Sequence, residues 1–161
     1  MFQFYVVDLT LDERMQYALN NRHRVESDMV AEDIPGATLE KMLDEMMIPK
    51  QGLSCQLYQR SGDIFLGVPY NLASYALLTY IVAEMCGMIP MEFVHTFGDL
   101  HLYHNHFAQA DQYLKQPHHH SPMLDLSNYL ASYDSVDELL LTDVKLVGYV
   151  SGPFIKAPVA V

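Results

Sequence analysis

Hydrophobic and polar residues alternate along residues 53–60, and this alternation predicts a β-strand. One face of the strand carries Leu53, Cys55, Leu57 and Gln59, and the other carries Ser54, Gln56, Tyr58 and Arg60. Residues 2–7, Phe-Gln-Phe-Tyr-Val-Val, are aromatic and β-branched and predict a second strand. We expect the two strands to pair as a hairpin around the residues that separate them.

The intervening residues, 8–52, predict a helical surface insertion. Residues Thr10 to Glu13 match a capping box that opens one short helix. Thr38 is expected to cap a second helix that runs through Met47 and is stopped by Pro49. Charged residues fill this stretch, which is typical of a surface segment. A partner-binding flap is the alternative, since loops and insertions also carry function.

The most apolar part of the chain follows Pro69 and predicts a long helix that ends at Gly87. Its core, from Leu72 to Met85, is interrupted by polar residues and is too short to cross a bilayer comfortably. We therefore expect a buried core helix. Further strands are predicted at Phe93–Phe97, Met123–Ser127 and Val144–Val150, and further helices at Asn105–Leu114 and Asp134–Leu141.

This order of elements predicts the α+β class, with a single mixed β-sheet packed by the long helix. No internal repeat or inter-domain linker interrupts it, so residues 1–161 are expected to form one domain. Half of the residues are hydrophobic, and the chain is long enough to bury a core.

The charge of the chain excludes two classes of partner. Nine Lys and Arg against twenty Asp and Glu give a formal net charge of -11. Such a chain repels nucleic-acid backbones and anionic membranes. The two cysteines do not form a disulfide framework, and the first residues do not read as a secretory signal, so we expect a reducing, cytoplasmic environment.

Three kinds of polar residue are candidates for chemistry. Arg60 and Ser61, at a strand end, offer a bidentate donor and a hydroxyl to a phosphate; a solvated or salt-bridged arginine is the alternative. Asn71 offers a donor and an acceptor that match the imide edge of uracil; a helix-capping role is the alternative. The histidines have no standard metal-site spacing, so we expect no metal. Cys55 reads as a packed core residue.

Five stretches of the chain together resemble the thymidylate synthase family, and they stand in the order that the family has. They are FQFYV at 2–6, LSCQLYQRSGD at 53–63, FLGVPYNLASYALLTYIVAEMCG at 65–87, FVHTFGDLHLYHNH at 93–106 and IKAPVAV at 155–161. Residues 8–52 lie outside the resemblance, although some family members carry a helical insertion there, and residues 115–143 match loosely.

The resemblance implies a site for dUMP. Arg60 and Ser61 are implied to hold the 5'-phosphate, with Gly62 and Asp63 completing that turn. Asn71 is implied to read the edge of the uracil ring.

The resemblance also implies contacts to the sugar and to a second substrate. His101 and Tyr103 are implied to hydrogen-bond the ribose hydroxyl. Asp63 is implied to contact the folate as well, and Ala160 to close over it when the C-terminus folds down as a lid.

The family converts dUMP to dTMP by reductive methylation with 5,10-methylenetetrahydrofolate, through a cysteine thiolate that adds to the pyrimidine. The resemblance places that nucleophile just before the strand at residues 2–7, and neither Cys55 nor Cys86 matches it. The family's remaining phosphate-binding arginines, and the Glu and Trp that support the pyrimidine, have no match either. We therefore expect a C-terminal half that contains no catalytic residue and is inactive alone.

Three interpretations remain open at this stage. The chain works with a separately encoded N-terminal half, or in a homodimer through the sheet, as a synthase. Alternatively, it is an inactive remnant that binds partners. A dCMP hydroxymethylase is disfavoured, because cytosine would be better suited by an aspartate at position 71 than by Asn71.

Overall fold

The computed structural model of the protein describes residues 1–20, 34–126, 133 and 135–159. Its main sheet has the strand order β1-β2-β3, with β1 at Phe2–Asp8, β2 at Gln51–Asp63 and β3 at Ile89–His101. β1 and β2 are antiparallel, with Phe4 opposite Cys55, so the predicted hairpin is confirmed. β2 and β3 are parallel. The protein is therefore an α+β protein with a mixed sheet.

The long helix α3, Val68–Met85, connects β2 to β3 and packs on one face of the sheet. Tyr75 stacks on Phe93 of β3, with ring centroids 6.2 Å apart. The buried residues of the helix are Thr79, Ile81 and Ala83. Burial of the whole helix is thus not observed: the sheet covers only one side, and Tyr70 is 76% exposed. No helix in the described ranges is long and apolar enough to span a membrane.

The expectation of a single sheet is wrong for the part of the chain that the structure describes. After helix α4, Phe107–Leu114, strands β4 (Met123–Leu126) and β5 (Val144–Val147) pair with each other in a separate two-stranded sheet. Strand propensity does not specify which sheet a strand joins. These two short strands satisfy their hydrogen bonds mutually, and two 3₁₀ turns, at 136–138 and 141–143, precede β5 in place of the predicted helix.

Residues 9–50 are helical on both sides of the undescribed residues 21–33. Helix α1 spans Leu11–Asn20, and its capping box is confirmed: Thr10 N donates to Glu13 Oε2 at 2.8 Å, and Glu13 N donates to Thr10 Oγ1 at 3.2 Å. Helix α2 spans Gly36–Glu45. Thr38 does not cap it, because Pro35 occupies the N-cap position and Thr38 already lies in the first turn, where its amide donates to the carbonyl of Pro35 at 2.8 Å.

The two helices have a hydrophobic core of their own beside β3. Its buried members are Met15, Ala18, Leu39, Leu43, Ile48 and Ile89. Arg14, 2% exposed, lies beside this core and donates to the carbonyls of Ile48 and Pro49 and to the carboxylate of Asp44. The helices therefore form a packed unit. That residues 8–52 are an insertion stays a prediction.

Candidate functional site

The polar residues predicted from the sequence lie where β2 and β3 end and α3 begins. Because these strands are parallel, their carboxyl ends meet at one edge of the sheet. Ser61 is opposite Asp99, and Asp63 is opposite His101. The expected turn at Gly62 and Asp63 is wrong: pairing with β3 keeps both residues extended, and the turn follows at residues 64–67.

Arg60 and Ser61 are consecutive residues of β2, so their side chains start from opposite faces of the strand. Arg60 is exposed, and within the described ranges no ion pair or hydrogen bond engages its guanidinium. Ser61 is half-buried. The structure therefore places an available cation one residue from a hydroxyl without joining the two.

Asp63 anchors the turn that leads into α3. Its Oδ1 accepts from the amides of Phe65 and Leu66 at 3.0 and 3.3 Å, and its carbonyl accepts from the amide of Gly67 at 3.0 Å. An aspartate that bonds amides two and three residues onward is typical of turns. The carboxylate is therefore fixed at the edge of the site, with Oδ2 free of any bond to the described residues.

Asn71 lies in the first turns of α3 and does not cap the helix, because Gly67 occupies the N-cap position. Its Oδ1 accepts from Gln59 Nε2 at 3.3 Å. Gln59 also donates to the carbonyl of Ser61 at 2.9 Å, and its Oε1 lies 2.9 Å from His95 Nε2. The side chains of His95, Gln59 and Asn71 thus form a hydrogen-bonded chain that joins β3, β2 and α3.

The direction of every bond in this chain follows from one backbone carbonyl. The carbonyl of Ser61 only accepts, so Gln59 Nε2 faces it and Gln59 Oε1 faces His95. His95 Nε2 then carries the hydrogen, and burial lowers the pKa of this histidine, which favours the neutral ring. Asn71 must present its oxygen to Gln59, since two amide nitrogens would repel. Its Nδ2 is therefore left to donate elsewhere.

His101 and Tyr103 lie together beyond the end of β3. Their rings make an edge-to-face contact with centroids 4.9 Å apart, and Tyr103 is 41% exposed. His101 Nδ1 lies 3.4 Å from the carboxylate of Asp99, which lies two residues earlier on the same face. The structure thus brings His101 to the same edge as Asp63, its partner in register.

His106 is the most buried polar side chain near this edge. It is 0% exposed, and its Nε2 lies 2.7 Å from the carbonyl of Pro158. Its Nδ1 lies 4.0 Å from Asp63 Oδ1. The C-terminal residues therefore pass beside the candidate site. The predicted contact residue Ala160 lies outside the described residues.

Neither cysteine lies at this edge. Cys55 is 1% exposed in the middle of β2, which confirms its prediction as a packed core residue. It lies five residues before Arg60, or roughly 16 Å along an extended strand. Cys86 follows the far end of α3, roughly 22 Å along the helix from Asn71.

Sequence reasoning missed the residues that connect the site internally: Gln59, His95 and His106. Strand alternation places Gln59 on the same face as Ser61 and Asp63, which is a signal in the sequence. No sequence signal pairs His106 with Pro158, because the two are 52 residues apart.

Comparison with known proteins decides the family. The family model described as thymidylate synthase matches residues 2–161, almost the whole chain. The chain belongs to the thymidylate synthase family.

Curated thymidylate synthases resemble the chain over most of its length. Those of Listeria monocytogenes serotype 4a (strain HCC23) and serotype 4b (strain F2365) are each 45% identical over 144 residues, which are 88% of this chain and 45% of the relative. The thymidylate synthase of serovar 1/2a (strain ATCC BAA-679 / EGD-e) is 44% identical over the same lengths. The chain thus spans about half the length of these relatives.

Proposed function

We propose that the chain supplies the dUMP-binding part of a thymidylate synthase, which reductively methylates dUMP to dTMP with 5,10-methylenetetrahydrofolate. The observation that carries this proposal is the fixed amide of Asn71 beside the edge where β2 and β3 end. This amide can offer a ligand two groups: the N–H donor at Nδ2 and the second lone pair of Oδ1.

Uracil matches this amide as it is oriented. Asn71 Nδ2 donates to O4 of the base, and Oδ1 accepts from N3–H. Cytosine carries an amine at C4 and a bare acceptor at N3, so the same amide would meet one donor with its donor and one acceptor with its acceptor. This polarity favours dUMP over dCMP and speaks against the dCMP hydroxymethylase interpretation.

The phosphate of dUMP is assigned to Arg60 and Ser61. Arg60 is exposed and unpaired within the described ranges, so an anion is the partner that it lacks. We assign both side chains to one phosphate, although they start from opposite faces of β2. Gly62, the next residue of β2, is closely packed. A Cβ atom at this position would lie 3.1 Å from the side chains of Phe97 and Val68.

The sugar and the folate are assigned to the remaining residues of the edge. His101 and Tyr103 present ring nitrogens and a hydroxyl to the ribose. Asp63, with one free carboxylate oxygen, is assigned to dUMP and to the folate, and Ala160 is assigned to the folate side. No member of this set carries a thiol.

The covalent step requires a thiolate that adds to C6 of the pyrimidine. Cys55 is buried in the middle of a strand, and Cys86 is at the opposite end of α3. We therefore assign no catalytic residue to residues 1–161, and the nucleophile comes from elsewhere in the assembled enzyme. The N-terminal part of a thymidylate synthase, in the cytoplasm, is the proposed source.

A homodimer through the sheet is the proposed assembly. α3 covers one face of the sheet, while the other face exposes apolar residues, including Tyr5 at 66%, Tyr58 at 46% and Val94 at 38%. Analytical ultracentrifugation of the chain and of a Tyr58→Glu variant tests this. The proposal is supported if the wild-type chain forms dimers and the variant does not. It is contradicted if the assembled enzyme contains only one copy of the wild-type chain.

Turnover by a reconstituted enzyme tests the proposed function. Residues 1–161 are assayed for dTMP formation from dUMP and methylenetetrahydrofolate, alone and mixed with the N-terminal portion of a Listeria monocytogenes relative. We expect turnover only in the mixture, and its loss when Asn71 is replaced by alanine. Turnover by the chain alone that survives replacement of both cysteines would contradict the proposal. A mixture that forms a stable complex without activity would support the inactive remnant.

A further inference from the structure

We infer that His106 is a positioning residue that fixes the C-terminal segment, residues 148–159, against the edge where β2 and β3 end. This segment is called the tail below. The contact itself is a property of the structure. Its consequence for the reaction rests on the proposed function.

His106 is buried although its neighbours in the chain are exposed. The residues on either side of it, Asn105 and Phe107, are exposed, whereas His106 is 0% exposed. A polar ring that is removed from water is costly unless it is hydrogen-bonded. The partner that it finds is the carbonyl of Pro158 in the tail, at 2.7 Å from Nε2. The carbonyl only accepts, so Nε2–H donates.

The same ring contacts the candidate site on its other sides. It lies 5.5 Å from the ring of Phe65 and 5.9 Å from that of Tyr103, measured between centroids. Its Nδ1, which is buried without a hydrogen-bond partner in the described ranges, points within 4.0 Å of Asp63 Oδ1. One side chain thus contacts both the tail and the turn that Asp63 anchors.

The tail has few other attachments. It forms no helix or strand, and several of its side chains are exposed, including Tyr149 at 62%, Phe154 at 89% and Val159 at 77%. Within the described ranges, one other side chain hydrogen-bonds it: Gln116 Nε2 donates to the carbonyl of Pro153 over 3.3 Å at an exposed position. The bond from His106 is the shorter and the less exposed of the two, so its loss should free the tail's far end.

Tryptic cleavage after Lys156 tests this inference. Lys156 is exposed in the tail, two residues before Pro158. Cleavage requires that several residues on both sides leave the docked conformation, and intact-mass measurement detects the release of the residues after Lys156. We expect His106→Leu, which keeps the volume but not the donor, to raise the cleavage rate about ten-fold or more, as for loss of one buried hydrogen bond.

Two matched variants make the test specific. His106→Gln keeps an N–H donor near the position of Nε2 and should restore much of the protection. His104→Leu alters an exposed histidine two residues away and should leave the rate unchanged. Cleavage after Arg14, which is 2% exposed beside the helical core and distant from the tail in the chain, reports loosening of the whole fold. Equal rates in wild type and His106→Leu, or equal acceleration at Arg14 and Lys156, would overturn the inference.

Kinetics of the assembled enzyme test the consequence. If the tail lies on the folate side of the site, His106→Leu raises the KM for the folate and lowers kcat, and His106→Gln reverses both changes. The Kd for dUMP changes by a smaller factor, because His106 also contacts Tyr103 and lies near Asp63. Proteolysis needs no substrate. If the proposed function is wrong, the contact between His106 and the tail can therefore still be measured. If dUMP binding were weakened while the KM for the folate stayed normal, the assignment of the tail to the folate side of the site would be wrong.

Discussion

Gln59 and Asn71 are joined amide to amide across the boundary between sheet and helix, with Gln59 Nε2 donating to Asn71 Oδ1 at 3.3 Å. A carboxamide can bind uracil in one orientation and cytosine after a flip that exchanges its oxygen and nitrogen. Because Gln59 is itself fixed by the carbonyl of Ser61 and by His95, it determines which orientation Asn71 adopts. Base selectivity should therefore depend on a residue that does not contact the base.

Replacing Gln59 by leucine should reduce the preference of the assembled enzyme for dUMP over dCMP by about ten-fold, the value of one hydrogen bond to the amide. The ratio of kcat/KM for the two nucleotides measures this. Gln112→Leu, at an exposed position of α4 outside the site and outside the proposed dimer face, is the matched control. An unchanged ratio in Gln59→Leu would show that Asn71 keeps its orientation without Gln59.

Replacing Asn71 by aspartate should weaken dUMP and relatively favour dCMP. A carboxylate cannot donate to O4 of uracil, whereas a protonated carboxyl group can donate to N3 of cytosine and accept from its exocyclic amine. Sites built on such hydrogen bonds discriminate by up to about 10⁴-fold. Competition between the two nucleotides in one assay measures the change, and a retained uracil preference would mean that Asn71 does not face the base.

Replacing Arg60 by alanine should raise the KM for dUMP by about 10- to 100-fold with a smaller effect on kcat. The reason is that a charge-assisted bond to the phosphate acts in the ground state and the transition state alike. Arg60→Lys keeps the charge but loses the bidentate geometry, so it should recover part of the affinity. Deoxyuridine, which lacks the phosphate, is the control ligand. If Arg60→Ala weakened the binding of dUMP and of deoxyuridine equally, the assignment of the phosphate to Arg60 would be wrong.

Replacing Arg14 by alanine should lower the free energy of unfolding by about 2–4 kcal/mol. The change leaves the carbonyls of Ile48 and Pro49 without their donor and opens a cavity beside the helical core. Lys41→Ala removes the exposed pair with Glu45, 3.8 Å apart, and should change stability by less than about 0.5 kcal/mol. Urea unfolding compares the two, and equal effects would mean that Arg14 is not a structural clamp.

The sequence predicts those parts of the fold that depend on local patterns. The alternation around Cys55 gives the correct faces of β2, and the capping box at Thr10 gives the start of α1. Both features involve residues within a few positions of each other. The start of α2 is misplaced at Thr38, because the helix already begins at Gly36, with Pro35 at the N-cap position.

Features that depend on tertiary contacts are missed. The pairing of β4 with β5 and the exposed side of α3 follow from which elements pack together, which strand and helix propensities do not encode. The same holds within the candidate site. Arg60 and Asn71 are found through motifs, whereas Gln59 and His106 acquire their partners only when the sheet, the helix and the tail come together.

The side-chain amide of Asn71 offers the most direct measurement of the central claim, that this edge of the sheet reads uracil. Its Nδ2–H resonances are followed by NMR in residues 1–161 during titration with dUMP, dCMP and deoxyuridine. We expect residues 1–161 alone to bind dUMP weakly, because most of the family's phosphate-binding arginines have no match in them. We predict that dUMP at high concentration nevertheless shifts these resonances, that deoxyuridine shifts them in the same direction at still higher concentration, and that dCMP leaves them nearly in place. Resonances that stay unmoved by dUMP while others shift, or that respond equally to dCMP, would contradict the account.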